Sequence, residues 1–126
     1  MPREIVNTSA APPSPASYSQ AVKAGGLVFV SGQPPMDPAM DGLAGPTIQE
    51  QTAQCLRNVQ AILAAAGSGL EKVVSATFIL AEPDDFAGMD EEWGKWFPVD
   101  PPARQGAKLP VSRPGLKISV AVIAQV

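Results

Sequence analysis

Leu27-Val28-Phe29-Val30-Ser31-Gly32-Gln33 is the stretch on which the fold turns. Its four consecutive apolar residues, β-branched and aromatic among them, predict a strand with no polar face. Such a strand needs cover on both sides. Just upstream, Ala24-Gly25-Gly26 supplies the turn of a hairpin, which makes Tyr18 to Lys23 the partner strand. Residues 10–17, with their Pro and Ser, read as an extended lead-in, and residues 32–46 as a loop rich in Pro, Gly, Asp and Met.

Downstream, Thr47 to Ala66 carries the strongest helix signal. Thr47 can cap it, Glu50 stands three residues on as a capping box requires, and Leu56, Val59, Ile62, Leu63 and Ala66 recur at helical spacing before Gly67. Val73 to Leu80 reads as a strand. Asp84 to Phe97 reads as a second helix, with Phe86, Met89, Trp93, Trp96 and Phe97 on its inner side, ended by Pro98, Pro101 and Pro102. Gln105 to Leu109 and Leu116 to Ala124 are the last two strands, the final one alternating Leu116, Ile118, Val120 and Val122 on one face. The expected order is β-β-α-β-α-β-β, an α+β fold in which a mixed sheet carries two helices on one face, within one domain spanning residues 1–126. Two helices cover one side only. The other side, with Ala121 and Ile123, calls for a second copy of the chain, and a homo-oligomer is therefore expected.

The totals narrow the chemistry. One cysteine, Cys55, rules out an internal disulfide and a multi-thiolate zinc site, and its place beside the first helix stripe makes it a packed core thiol. The chain has no histidine, so Ser-His-Asp and Cys-His arrangements and the usual catalytic zinc sites are closed to it. No metal site is expected. A formal charge of −3 and the lack of a Lys/Arg stripe argue against nucleic acid as a partner. No run of eighteen apolar residues offers a membrane span, and the N-terminus has no apolar signal core, so a cytoplasmic protein is expected.

Arg104 is the leading candidate for chemistry. Its planar, paired donors match a carboxylate, it opens a strand after Pro101-Pro102, and alternation puts it on the face of Gly106, where a missing side chain leaves room. The alternative reading is a surface Arg paired with a nearby Asp or Glu. Ser31-Gly32-Gln33 ends an apolar strand, and Gly32 allows a ligand to approach the backbone closely. The acidic group Asp84, Asp85, Asp90, Glu91 and Glu92 reads as a solvated helix face.

Taken together, Tyr18-Ser19-Gln20-Ala21-Val22, Val28 to Gln33, Gln51-Thr52 through Asn58 to Ile62-Leu63, Asp85-Phe86-Ala87-Gly88-Met89 and Pro102-Ala103-Arg104 make the chain resemble the reactive-intermediate deaminase family, also called YjgF-like or L-PSP-like proteins. The resemblance runs from about Asn7 to Ala124. It implies a homotrimer like that of the bacterial chorismate mutase, with ligand clefts between subunits. It also implies hydrolysis of enamine and imine intermediates to a 2-keto acid and ammonia, without a cofactor. The family's arginine, which binds the substrate carboxylate, falls on Arg104, and its tyrosine, serine and glycine fall on Tyr18, Ser31 and Gly32. Asp90, where the family has asparagine, Gln105 and Gly106, where it often has cysteine, complete the expected substrate-binding set. Ser119 takes the place of the glutamate that positions water and is expected at the catalytic position with Arg104, while Ala121 replaces a second glutamate.

Three functional readings stand at this point. The first is an enamine/imine deaminase with Arg104 as anchor and a water near Ser119; the second is a non-catalytic protein that binds a small carboxylate. The third, an endoribonuclease or translation inhibitor, is disfavoured by the acidic balance and the absence of histidine.

Overall fold

Gly25 and Gly26 both take positive φ, 59° and 79°, the twist that a two-residue hairpin turn requires. In the computed structural model of the chain, which describes residues 2–126, they join β2 (Ala21–Ala24) to β3 (Leu27–Gln33). β2 begins at Ala21 rather than Tyr18. Gln20 is buried and its amide is spent on the lead-in, accepting from the Thr8 N–H at 2.7 Å and donating to the Thr8 and Pro12 carbonyls. A short strand that the sequence did not announce, β1 (Glu4–Val6), pairs with β2. Within residues 32–46 a two-stranded ribbon forms from β4 (Met36–Asp37) and β5 (Gly42–Leu43).

Helix α1 (Ile48–Ala65) starts as expected. The Thr47 hydroxyl accepts from the Glu50 N–H at 3.1 Å while the Glu50 carboxylate accepts from the Thr47 N–H. Its end is closed by Gly67 and Ser68, whose N–H groups donate to the Ala64 and Leu63 carbonyls. β6 (Val73–Leu80) follows. A single 3-10 turn at Pro83–Asp85 then leads into α2 (Phe86–Trp96), so the second helix is shorter at both ends than its apolar spacing suggested. β7 (Ala103–Lys108) takes in Arg104, two residues ahead of the expected start, and β8 (Ile118–Gln125) closes the chain.

The main sheet has the order β1-β2-β3-β8-β6-β7. β6 and β7 are parallel, with α2 as their crossover, and every other neighbouring pair is antiparallel. The mixed sheet with two helices is the expected α+β class. Val28, Val30, Ala76, Leu80, Ile118, Val120, Val122 and Ala124 face the helices, which return Leu56, Val59, Ile62, Leu63, Met89 and Trp93 to the same core.

Most polar side chains inside this core are paired, as burial demands, while Gln33 Oε1 and Thr52 Oγ1 find no partner among the described residues. The Gln51 amide donates to the Gly45 and Gly115 carbonyls at 2.9 and 2.7 Å and accepts from the Lys117 N–H, so one helical side chain ties two loops. The Asn58 amide does the same for the entry into β4, donating to the Pro34 and Met36 carbonyls. Cys55 is fully buried, and burial pushes its thiol pKa well up, which makes it the inert core thiol expected.

The face of the sheet away from the helices has no cover among the described residues. Phe29 is 42% exposed and Val74 44%, with Ile79, Ala121 and Ile123 half-buried beside them. A shallow groove of about 220 Å³ runs between Phe29, Ser75, Thr77, Gln105, Ala121 and Ile123.

Candidate functional site

Arg104 stands second in the edge strand β7, level with Ala76 of β6 and on the helix side of the sheet. Its guanidinium lies among three aromatic rings, with Cζ 5.2 Å from the centroid of Phe78, 5.6 Å from Phe86 and 5.3 Å from Trp93. Rings at this range hold a cation by their quadrupoles and strip part of its water. One nitrogen, Nη1, donates to Asp90 Oδ1 of α2 at 2.7 Å. Among the described residues that is the only hydrogen bond the Arg104 side chain makes, out of five N–H donors. The pair opens onto a cavity of about 470 Å³ lined by Asp90, Trp93, Gly94, Phe97, Pro101, Pro102 and Arg104. Both side chains reach solvent, at 24% and 52% exposure.

Gly106 shares the face of Arg104, as alternation required, but the room above it is taken. A Cβ at Gly106 would collide with the Phe78 ring. The missing side chain therefore seats Phe78, and Phe78 in turn packs against the guanidinium. A second, mostly apolar groove of about 510 Å³ runs on from there along Phe78, Leu80, Pro83, Phe86, Gly106 and Lys108.

The remaining candidates gather elsewhere. β3 and β8 lose register between Val30 and Gln33, where Ser31 and Gly32 oppose the single residue Ala121, and this bulge turns out Ser31 and Gly32. The Gln33 amide holds the bulge by donating to the Ser31 carbonyl at 3.0 Å. The Ser31 hydroxyl donates to the Ser19 carbonyl at 2.6 Å, fixing the turn that carries Tyr18, which is 47% exposed. Ser119 sits against Gly32: its Oγ would lie 2.9 Å from a Cβ built there.

Within one chain the candidate residues fall into two groups. Asp90, Arg104 and Gly106 lie together on the helix side, at one sheet edge. Tyr18, Ser31, Gly32 and Ser119 lie together around β3 and β8. Within one chain the structure does not bring Ser119 to Arg104. Ser119 pairs with Ile79, three positions along β6 from the Arg104 register, and its side chain alternates with the helix-facing Ile118 and Val120. Gln105 also points away from Arg104, donating to the Thr77 hydroxyl at 3.2 Å on the open face. Of the acidic group, Asp84 and Glu91 are solvated as expected, but Asp85 pairs with Lys117 at 3.8 Å and Asp90 is drawn to Arg104. Phe78, Phe86 and Trp93 had been read as core or strand residues. No spacing in the sequence signals that they surround the arginine. Among the described residues, no group of three His, Cys, Asp or Glu side chains gathers that could hold a metal ion, and no helix is long and apolar enough to cross a membrane.

Comparison with known proteins matches residues 8–126 to a family described as Endoribonuclease L-PSP. Reactive Intermediate Deaminase A, chloroplastic, of Arabidopsis thaliana is 38% identical over 97% of this chain and 65% of its own length. The crystal structure of yeast Mmf1 superposes with a TM-score of 0.92 at 35% identity, covering 98% of each chain. That of E. coli TdcF with bound serine gives 0.89 at 28% identity, again over 98% of each.

Proposed function

The chain belongs to the endoribonuclease L-PSP family, which includes the reactive-intermediate deaminases, and from that premise we propose that it binds a small 2-imino or 2-amino acid by its carboxylate at Arg104 and hydrolyses enamine and imine intermediates to the 2-keto acid and ammonia. The observation that carries this reading is the Arg104 guanidinium, desolvated by three rings, bonded once, and open to a cavity of ligand size. A carboxylate laid on its free edge receives two parallel N–H bonds. That fixes the adjacent C=N carbon, and holding a reactant in place supplies part of the barrier reduction by itself. Water adds to the C=N carbon, the C–N bond breaks, nitrogen leaves as ammonia, and the keto oxygen comes from water. No electrons change hands, so the step calls for no redox cofactor.

The second group of residues joins the first through a neighbouring copy. Arg104 lies on an edge strand, the open sheet face is apolar, and Tyr18, Ser31, Gly32 and Ser119 lie too far round the sheet to reach Arg104 within one chain. A homotrimer with its clefts between subunits satisfies all three facts. Sedimentation at micromolar concentration is expected to show a trimer; a monomer there would remove the basis for a shared cleft.

Ser119 qualifies the catalytic part of the proposal. A hydroxyl holds a water but does not take its proton at neutral pH, and a missing general base costs about 10²–10⁴ in rate. That observation supports the second reading, a protein that binds the carboxylate without turnover. Coupling an amino-acid oxidase to the protein, with a reagent that traps imine, separates the two. Faster imine loss than in buffer is the expected result. No acceleration, together with a ligand-induced rise in Tm, is the signature of the binding protein.

A further inference from the structure

Asp90 is the residue whose placement goes furthest beyond the anchor reading, on which the following inference rests. Among the described residues, the cavity that Arg104 opens onto is lined by one cation and one anion, and they are in contact at 2.7 Å. Oδ1 of Asp90 is committed to Arg104, while Oδ2 accepts no hydrogen bond among the described residues. One helical turn on, Gly94 keeps the wall beside Asp90 open, since a Cβ built there would meet nothing within 4 Å. Trp93, Phe97, Pro101 and Pro102 supply the rest of the lining and bring no further charge.

We propose that Asp90 is a specificity-determining residue that makes this site select ligands carrying a protonated nitrogen on the carbon next to the carboxylate, namely 2-iminium and 2-ammonium acids, against the corresponding 2-keto acids. The site's adjacent cation and anion mirror the charges of such a ligand. Its carboxylate takes the free guanidinium edge, and its N–H group, on the neighbouring carbon, lies within reach of Asp90 Oδ2. A 2-keto acid brings a carboxylate and a carbonyl oxygen, both electron-rich, to the same place. It keeps the arginine contact and meets the aspartate unpaired. Paired charges that recognise one partner and penalise another give discrimination that attraction alone does not. Hydrolysis removes the nitrogen, so the product loses the Asp90 contact in the step that forms it and is released more readily than substrate.

Calorimetric titration with L-norvaline and 2-oxovalerate, which share one side chain, tests this on the intact protein. Wild type is expected to bind norvaline more tightly. Asp90→Asn is expected to shrink that preference about tenfold, with keto-acid affinity rising and amino-acid affinity falling, for a half-exposed charge contact. Asp90→Glu, which keeps the charge, is expected to retain the preference and serves as control for folding. If Asp90→Asn strengthens both ligands equally, Asp90 is only a latch on the guanidinium and the selection is wrong. Unchanged affinities in Asp90→Asn overturn it as well. Failure of the anchor reading has a different signature: wild type and Arg104→Ala bind both ligands equally well, or neither binds at all.

Discussion

Arg104→Ala is expected to cut kcat/KM for imine hydrolysis by about 10²-fold or more, and to abolish the rise in Tm on adding a 2-amino or 2-keto acid. A truncated partner in a close, partly desolvated charge pair costs about 2–5 kcal/mol, which corresponds to that range. Among the described residues the site has no second cation to compensate, because Arg104 is the only basic one of them lining the cavity. The substitution also removes the charge that Phe78, Phe86 and Trp93 surround. Those contacts contribute about 0.5–1 kcal/mol at a partly exposed site, so the variant should still fold, and its circular dichroism melting curve checks that it does. Arg104→Lys keeps the charge but loses the planar pair of donors, and an intermediate defect is expected. A full-rate Arg104→Ala enzyme would mean that the carboxylate is held elsewhere.

Ser119→Glu is the second large effect, and it runs the other way. Ser119 lies against Gly32, its Oγ 2.9 Å from where a Cβ at Gly32 would stand, and it is half-exposed. In the proposed trimer a glutamate there would extend beyond the glycine toward the shared cleft. A carboxylate within reach of the attacking water takes its proton, and the rate of imine hydrolysis is expected to rise by about 10²-fold. KM should change little, since the carboxylate anchor is untouched. A steady-state comparison of the variant with wild type reads both parameters. No gain, with trimer and ligand affinity intact, would show that Ser119 does not stand where the water adds.

The strongest fold elements were legible because they repeat. Helix α1 shows its period over five turns and its capping box at one end, and β8 alternates without a break. β1 is three residues long and β4 and β5 two each, too short for any period to show. Gln20, Gln51 and Asn58 staple loops from inside the core. Polar side chains at buried positions break the hydrophobic pattern, so only the family resemblance flagged them as a set. Arg104 was singled out by its own chemistry. Its contact with Asp90 was not visible, because the two are fourteen residues apart on different elements and meet only when α2 folds back across β6. Gly106 was read correctly as a gap and wrongly as an empty one, since Phe78 reaches it from the neighbouring strand.

The central claim is that Arg104 anchors a carboxylate whose neighbouring C=N bond is then hydrolysed. It is tested most directly by following imine loss from an amino-acid oxidase reaction with wild type, Arg104→Ala and Ser119→Glu side by side. The account predicts acceleration by wild type, more by Ser119→Glu, and none by Arg104→Ala. Equal acceleration by wild type and Arg104→Ala would contradict it.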